Sequence, residues 1–347
     1  MNQYLLAVMK GQKSGFIVQL ITYLLWPWSF LYGFGVFCHR NYYRLKGAYY
    51  APKPVISIGN ITVGGAGKTP LVIWLARHLQ DKGLKSVILI RGYMPQGAKD
   101  SDEADMLNEQ IPYIPVLVGA NRVAIIKKTI DSLPVDVFIC DDAFQHWPLK
   151  RDLNIVAIDA VNPFGNGYLL PAGILREPLS ALKRAHVIVL TKTEGVLNLP
   201  DLYNRVKNIN ARALIVESHH KPGATMNVFG KEDLPVDFLK NIPVVGFCAI
   251  GDPWSFETEL KNSGASVVKV FAYRDHHVYK HNDIQRMVDF CRAQAIPVLV
   301  TTHKDAVKLQ MFKDVFQELR LVYIPIQLEI TKGSDEFLQK IMAVCNG

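Results

Sequence analysis

Acidic residues are missing from the start of the chain: no Asp or Glu occurs before Asp81, whereas Lys10, Lys13, Arg40, Arg44, Lys46, Lys53, Lys68 and Arg77 do. The formal net charge of +8 therefore lies wholly in this stretch, and the rest of the chain is balanced. A C-x-x-C pair is also missing. The five cysteines, Cys38, Cys140, Cys248, Cys291 and Cys345, are odd in number and scattered, which excludes a disulfide framework or cysteine zinc site and fits buried thiols in a reducing compartment. No low-complexity tract or internal repeat interrupts the sequence. With 49% hydrophobic and 20% charged residues, a disordered tail and a polytopic membrane protein are both excluded. At 347 residues the chain exceeds the roughly 250–300 at which single cores stop growing, so two domains are expected.

What is present begins with an uncharged apolar run, Gly15 to Cys38, rich in Trp, Tyr and Phe and flanked by the basic residues. A basic end alone fits nucleic acid, but paired with this run it points to an anionic membrane surface, with no nucleic-acid partner. The run reaches the ~20 residues a bilayer span needs. Gln19, Thr22, Pro27, Ser29, Gly33 and Gly35 interrupt it, and no small-residue cleavage site follows. The reading is an uncleaved helix lying in the membrane interface, with a true span and a buried core helix as alternatives.

From Val55, short β-branched runs alternate with amphipathic stretches: VISIG, SVILIRG, IPVLVG, VDVFICDD, NIVAID, HVIVLTK and ALIVES. Near-continuous apolar strands separated by helices imply an α/β fold, a three-layer α/β/α core around a mostly parallel sheet. The pattern loosens between Ser218 and Pro243 and resumes with VVGFCAI, SVVKVFAY, IPVLVTT and LVYIPIQLEI. The expected organisation is an N-terminal membrane-interface helix with its basic flank (1–50), a larger α/β core (51–225) and a second, smaller α/β domain (226–347).

Strand VISIG leads into Thr62-Val63-Gly64-Gly65-Ala66-Gly67-Lys68-Thr69-Pro70 and then a helical LVIWLARHL. The pattern G-x-x-x-x-G-K-[ST] fails only at its first position, Thr62. Its mechanical parts remain. The glycines let backbone N–H groups turn onto a phosphate, Lys68 reaches the β- and γ-phosphates, and Thr69 can ligate Mg2+. A K-G-G start, mark of a dimerising ATPase group, is absent, Val63 standing there. Asp141 and Asp142 end an apolar strand, where phosphate-loop proteins keep the carboxylate that holds Mg2+. His146, just after, is a secondary candidate beside the metal or substrate. Transfer to an alcohol calls for a base, and Asp102 and Glu103 in one loop, or Asp275, His276 and His277 in another, are residues of the right type. Solvated surface is the plainer reading of either cluster taken alone.

In order, VISIGNITVGGAGKTP, RGY, SDEA, DDAFQH, LLPAGILREP, RDHHVY and VTTHKDAVKL together resemble the tetraacyldisaccharide 4'-kinase family over most of the chain. The resemblance implies transfer of the ATP γ-phosphate, with Mg2+, to the 4'-hydroxyl of a tetraacylated disaccharide 1-phosphate. The setting it implies is the cytoplasmic face of a bacterial inner membrane; a monomer is expected. It assigns Lys68 and Thr69 to nucleotide and metal, Asp141 and Asp142 to Mg2+, and Asp102 with His276 to a catalytic pair. Glu103, Gln145, His146, Arg176 and Asp275 would line the site, and Asp102 and His276, placed in different lobes, would meet on closure. Two departures stand out: Ala66 where the family has Thr, and His303 where it has Glu. Thr191-Lys192-Thr193-Glu194 also resembles the guanine-reading [NT]-K-x-D, which keeps a nucleotide switch or a hydrolytic ATPase as rivals.

Overall fold

The computed structural model describes residues 3–92, 102–230, 233–235, 237–251, 253–275 and 277–346. The chain opens with α1 (Gln3–Met9) and α2 (Phe16–Lys46). It continues through β1 (Val55–Gly59), α3 (Lys68–Asp81), β2 (Ser86–Ile90), α4 (Asp102–Gln110), β3 (Val116–Val118), α5 (Arg122–Ser132), β4 (Val137–Asp141) and β5 (Leu153–Asp159). Next come a 3-10 turn (Leu179–Arg184), β6 (Val187–Thr191), α6 (Leu199–Ile209), β7 (Leu214–Pro222), β8 (Met226–Asn227), β9 (Pro243–Cys248), α7 (Pro253–Asn262) and β10 (Ser266–Ala272). The last elements are α8 (His281–Ala293), β11 (Val298–Thr301), α9 (His303–Ala306), a 3-10 segment (Val307–Phe316), β12 (Arg320–Tyr323), β13 (Ile326–Lys332) and α10 (Ser334–Cys345).

The 31-residue α2 outlasts the uncharged run, passes through Pro27 unbroken, and stops at Gly47, whose φ of 84° only glycine adopts freely. By length and composition it is long and apolar enough to cross a membrane, the one such helix among the described residues. Trp26, Trp28, Phe30, Leu31, Phe34 and Phe37 are all exposed on it.

Two compact units share the chain: Met1–Arg91 with Tyr113–His220 and Leu328–Gly347, and Gly92–Pro112 with Lys221–Gln327. The first holds an eight-stranded sheet ordered β13-β7-β6-β5-β1-β4-β2-β3. Its pairs from β6–β7 through β2–β3 are parallel. Every residue of β1, β2, β4 and β6 is buried, which is why these strands read as apolar runs without alternation. One apolar cluster gathers Phe144, Val156, Ile188, Leu190 and Val206, and another Val87, Leu89, Ile126, Phe138 and Leu149. The second unit holds a five-stranded sheet, β10-β9-β11-β12-β8, parallel except where β8 runs against β12. Phe247, Met287, Leu299 and Phe316 anchor its core.

The α/β class and mostly parallel sheets are as the sequence implies, but chain order misassigns two segments. Helix α4 belongs with the second unit, because Gln110 donates to His303 Nδ1 at 2.8 Å and His303 Nε2 lies 2.9 Å from Glu109 Oε2. The C-terminus returns to the first unit, where Phe337 stacks on Trp74 at 5.3 Å. The run LVYIPIQLEI is two strands, split near Pro325, which has no N–H to offer a ladder.

Candidate active site

Strand register assembles the site. Ile58, at the end of β1, pairs with Asp141 at the end of β4, so the loop that follows β1 and the acidic pair emerge side by side. Gly64 and Gly67 take φ of 123° and 75°. Gly67 ends the loop as the residue before α3, and a Cβ there would meet His220 Nε2 at 2.9 Å and Thr191 Cγ2 at 3.2 Å. No larger residue fits that backbone and that space. Thr62, the off-pattern first position, is buried and bridged to Leu175. Val63 N donates to Ile174 O at 2.8 Å and Arg176 N to Ile61 O at 2.7 Å. The first position is thus held by strand-like pairing with a strap at Leu169–Arg176, which a threonine serves as well as a glycine.

Three charges converge beside the loop. Lys68 Nζ lies 3.5 Å from Asp142 Oδ1 and 3.4 Å from Asn60 Oδ1. Arg176 Nη1 donates to both Asp142 oxygens, at 3.0 and 2.9 Å. Burial would raise the Asp142 carboxyl, but Lys68 and Arg176 outweigh it and hold it below its ordinary value. Asp142 itself has φ 47°, a backbone uncommon for a non-glycine residue and here fixed by the strand end. Asp141 is buried, and its Oδ1 accepts from Asp142 N at 2.9 Å. Gln145 Nε2 donates to Asn60 O at 2.8 Å, tying the acidic segment back to β1.

Several supports escaped the sequence reading. Fully buried Arg122, from α5, donates to the Asp141 carbonyl. Buried Asn60 donates to Thr62 O at 2.8 Å. The hydroxyl of Thr191 lies 3.1 Å from Ala66 O, and Lys192 Nζ reaches Asp159 Oδ2 at 2.8 Å and Gly65 O at 3.4 Å. The T-K-T-E segment thus braces the phosphate loop from β6. His220, read from the sequence as linker, belongs to β7 and lies under Gly67.

Both His146 and His220 are kept neutral. Burial, then Arg122, Arg151 and Arg91, pulls His146 down to about 4; burial, then Lys192, pulls His220 down to about 4. His146 Nε2 and both ring nitrogens of His220 have no hydrogen-bond partner among the described residues. A histidine whose folded pKa is depressed binds its proton only on unfolding, so stability is full above about 6.5 and falls as pH drops toward 4. Each contributes a slope of up to about 1.4 kcal/mol per pH unit. Urea unfolding of His220→Asn between pH 7 and 4.5 should show a shallower decline than wild type, and an unchanged slope would contradict the buried neutral ring.

The other candidates lie in the second unit. Glu103 is half-buried on α4. Asp275 pairs with Lys304 at 3.1 Å. His277 lies 3.0 Å from Asp283, at the start of α8, and stacks on Tyr273. The Asp102 side chain and His276 lie outside the described residues. Helix α4, which Asp102 begins, belongs to the second unit. His303 is fixed by Tyr323, on which it stacks at 4.5 Å, as well as by Glu109 and Gln110.

A parallel sheet, a loop of this geometry ending at a helix N-terminus and an acidic strand end beside it define a phosphate-loop nucleotide-binding protein. The model of the tetraacyldisaccharide-1-P 4'-kinase family matches residues 21–345. The chain is 31% identical to a tetraacyldisaccharide 4'-kinase of Halothermothrix orenii over 98% of its own length and 97% of the relative's. It is 37% identical to that of Syntrophobacter fumaroxidans over 82% and 77%. The crystal structure of LpxK from Aquifex aeolicus in complex with ATP superposes with a TM-score of 0.72 at 27% identity, covering 93% of this chain and 99% of that one. This chain belongs to the tetraacyldisaccharide 4'-kinase family.

Proposed function

We propose that the chain transfers the γ-phosphoryl group of ATP to the 4'-hydroxyl of a tetraacyldisaccharide 1-phosphate at a membrane surface. The observation that carries this reading is the convergence of Lys68 and Arg176 on Asp142 at the edge of the phosphate loop. Two cations on one carboxylate are poised for exchange: an incoming triphosphate, with more negative charge, competes for both. Lys68 then bridges the β- and γ-phosphates, while Arg176 offers a planar donor to the transferring group. Thr69, Asp141 and Asp142 offer hard oxygen donors, which suit Mg2+. Among the described residues no group of three or more His, Cys, Asp or Glu could hold a metal, so Mg2+ here would take much of its coordination from phosphate and water. Bound there, Mg2+ would neutralise charge on the β- and γ-oxygens.

In the transfer, the 4'-oxygen bonds to the γ-phosphorus as the bond to the β,γ-bridging oxygen breaks, and ADP leaves. The hydroxyl proton passes to Asp102, with His276 raising its effectiveness or exchanging roles with it. Glu103, Gln145, His146 and Asp275 are assigned to the surroundings of the acceptor. Four acyl chains keep the acceptor in the bilayer, so the enzyme must come to it. The exposed aromatic face of α2 and the basic flank suit the interface of an anionic leaflet, and the setting is the cytoplasmic face of the bacterial inner membrane, with a monomeric enzyme and no nucleic-acid partner. Purified protein in detergent with Mg2+ and γ-labelled ATP or GTP separates this from the switch and ATPase readings. Phosphate should leave ATP only when the lipid acceptor is present, with ATP preferred over GTP. Equal release without lipid would overturn the kinase reading.

A further inference from the structure

Helix α2 buries one polar residue against the usual logic of an apolar helix. Its one buried residue among those described is a serine, Ser29, 3% exposed, while Trp26, Trp28, Phe30 and Leu31 around it face outward. A buried hydroxyl is retained where it is bonded, and Ser29 Oγ both donates to Leu169 O at 2.8 Å and accepts from Ala172 N at 3.0 Å. Its two bonds span the turn that opens the strap. One helical turn further, Gly33 lets α2 approach closely: a Cβ there would lie 2.8 Å from Leu169 Cδ1. Tyr32, on the same face and half-buried, lies within the field of Arg176 and Glu177.

The turn does not end the connection. Leu169 O also accepts from Gly173 N at 2.9 Å, and Leu170 N donates to Leu175 O at 2.9 Å. Leu175 is bridged to Thr62, and Arg176 N is bonded to Ile61 O. The next group along is the Arg176 guanidinium on Asp142. An unbroken series of short polar contacts thus runs from the middle of α2 to the entry of the phosphate loop and its acidic partner.

We propose that Ser29 is a positioning residue: by pinning the Leu169–Ala172 turn to α2, it sets Arg176 and the first residues of the phosphate loop, so that the seating of the membrane-facing helix tunes the nucleotide site. The proposal rests on the reading of Arg176 and Asp142 as groups of the nucleotide site. Ser29 touches neither nucleotide nor acceptor. Ser29→Ala leaves the helix its apolar outer face but removes the acceptor from Ala172 N, whereas Ser29→Thr keeps the hydroxyl.

The test measures binding of a fluorescent ATP analogue without lipid, kcat and KM for ATP with detergent-solubilised acceptor, and flotation with anionic phosphatidylglycerol vesicles. The variants are Ser29→Ala, Ser29→Thr, Arg176→Ala and the double variant Ser29→Ala with Arg176→Ala. Ser29→Ala should lower kcat/KM for ATP about tenfold, a shift of about 1.4 kcal/mol, with flotation unchanged and most of the loss restored in Ser29→Thr. In the Arg176→Ala background the serine effect should largely vanish, because both act through the same group. Additive losses, or a loss confined to thermal stability and flotation, would overturn the proposal. The binding arm keeps the two readings distinguishable: a wild type that labels no lipid would count against the kinase reading, while coupled changes in nucleotide affinity would still support Ser29.

Discussion

Lys68→Ala should reduce kcat/KM for phosphate transfer by about a hundred- to a thousandfold or more, the scale seen when one preorganised donor to developing charge is removed. The structure gives the reason that the loss falls on function and spares the fold. The Lys68 ammonium sits only loosely, 3.4 Å from Asn60 and 3.5 Å from Asp142, distances that are long for strong charge-assisted bonds. Arg176 holds Asp142 without it, through two contacts of 3.0 and 2.9 Å. At that distance, and with Arg176 still on Asp142, loss of the Lys68 charge costs the fold modestly. Thermal unfolding of the variant should therefore stay within a few degrees of wild type while initial rates collapse. Comparable loss of folding and activity would mean that Lys68 is a structural cation and that the loop does not grip a triphosphate.

The second large effect is expected at Asp102. On the proposed role of Asp102 as acceptor of the 4'-hydroxyl proton, Asp102→Ala should lower kcat by about 10²–10⁴-fold, the usual contribution of a general base. ATP affinity should change little, because on the proposed reading Asp102 acts on the acceptor hydroxyl while the phosphate loop, Lys68 and Arg176 carry the nucleotide. His276→Ala should follow the same pattern with a loss no larger than that of Asp102→Ala, and the two losses should fail to add if the residues act on one proton. Titration of the variants with an ATP analogue, beside rate measurements at saturating ATP, checks this. Weakened nucleotide binding with kcat retained would move Asp102 from the acceptor to the nucleotide.

How much of this was legible in the sequence depended on whether the chemistry was local. The phosphate loop is one strand, one glycine-rich turn and one helix start, so its residues announce themselves together. The acidic pair shows as the end of an apolar strand, while its place beside the loop is set by the Ile58–Asp141 register, which only the fold displays. Residues that act across the fold were silent. Arg122 is 2% exposed and bonds the Asp141 carbonyl from α5, yet in the sequence it is one more arginine at a helix start. Lys192 and Thr191 were weighed as a base-reading motif, while their side chains brace Gly65 and Ala66. His220 fell in a stretch that looked like linker because Lys221, Pro222 and Gly223 follow it, although β7 continues through it.

Segment ownership was the other blind spot. A reader moving along the chain assigns a helix to the sheet whose strands flank it, and α4 lies between strands of the first sheet. Its C-terminal Glu109 and Gln110 instead bond His303. That histidine, the departure from the family's glutamate, has a role in joining α4 to the second unit, visible only once the chain is folded. The apolar run of the N-terminus was correctly bounded by charge but not by structure, because Arg and Lys near its end have good helix propensity and prolong α2 until Gly47.

The most direct test of the central claim is the fate of the labelled γ-phosphate when wild-type protein, ATP, Mg2+ and detergent-dispersed tetraacyldisaccharide 1-phosphate are combined and the lipid is isolated and degraded. The account predicts label on the lipid, at the 4'-position of the distal sugar, in amounts equal to the ADP formed. ADP accompanied by free labelled phosphate, with the lipid unlabelled, would contradict it.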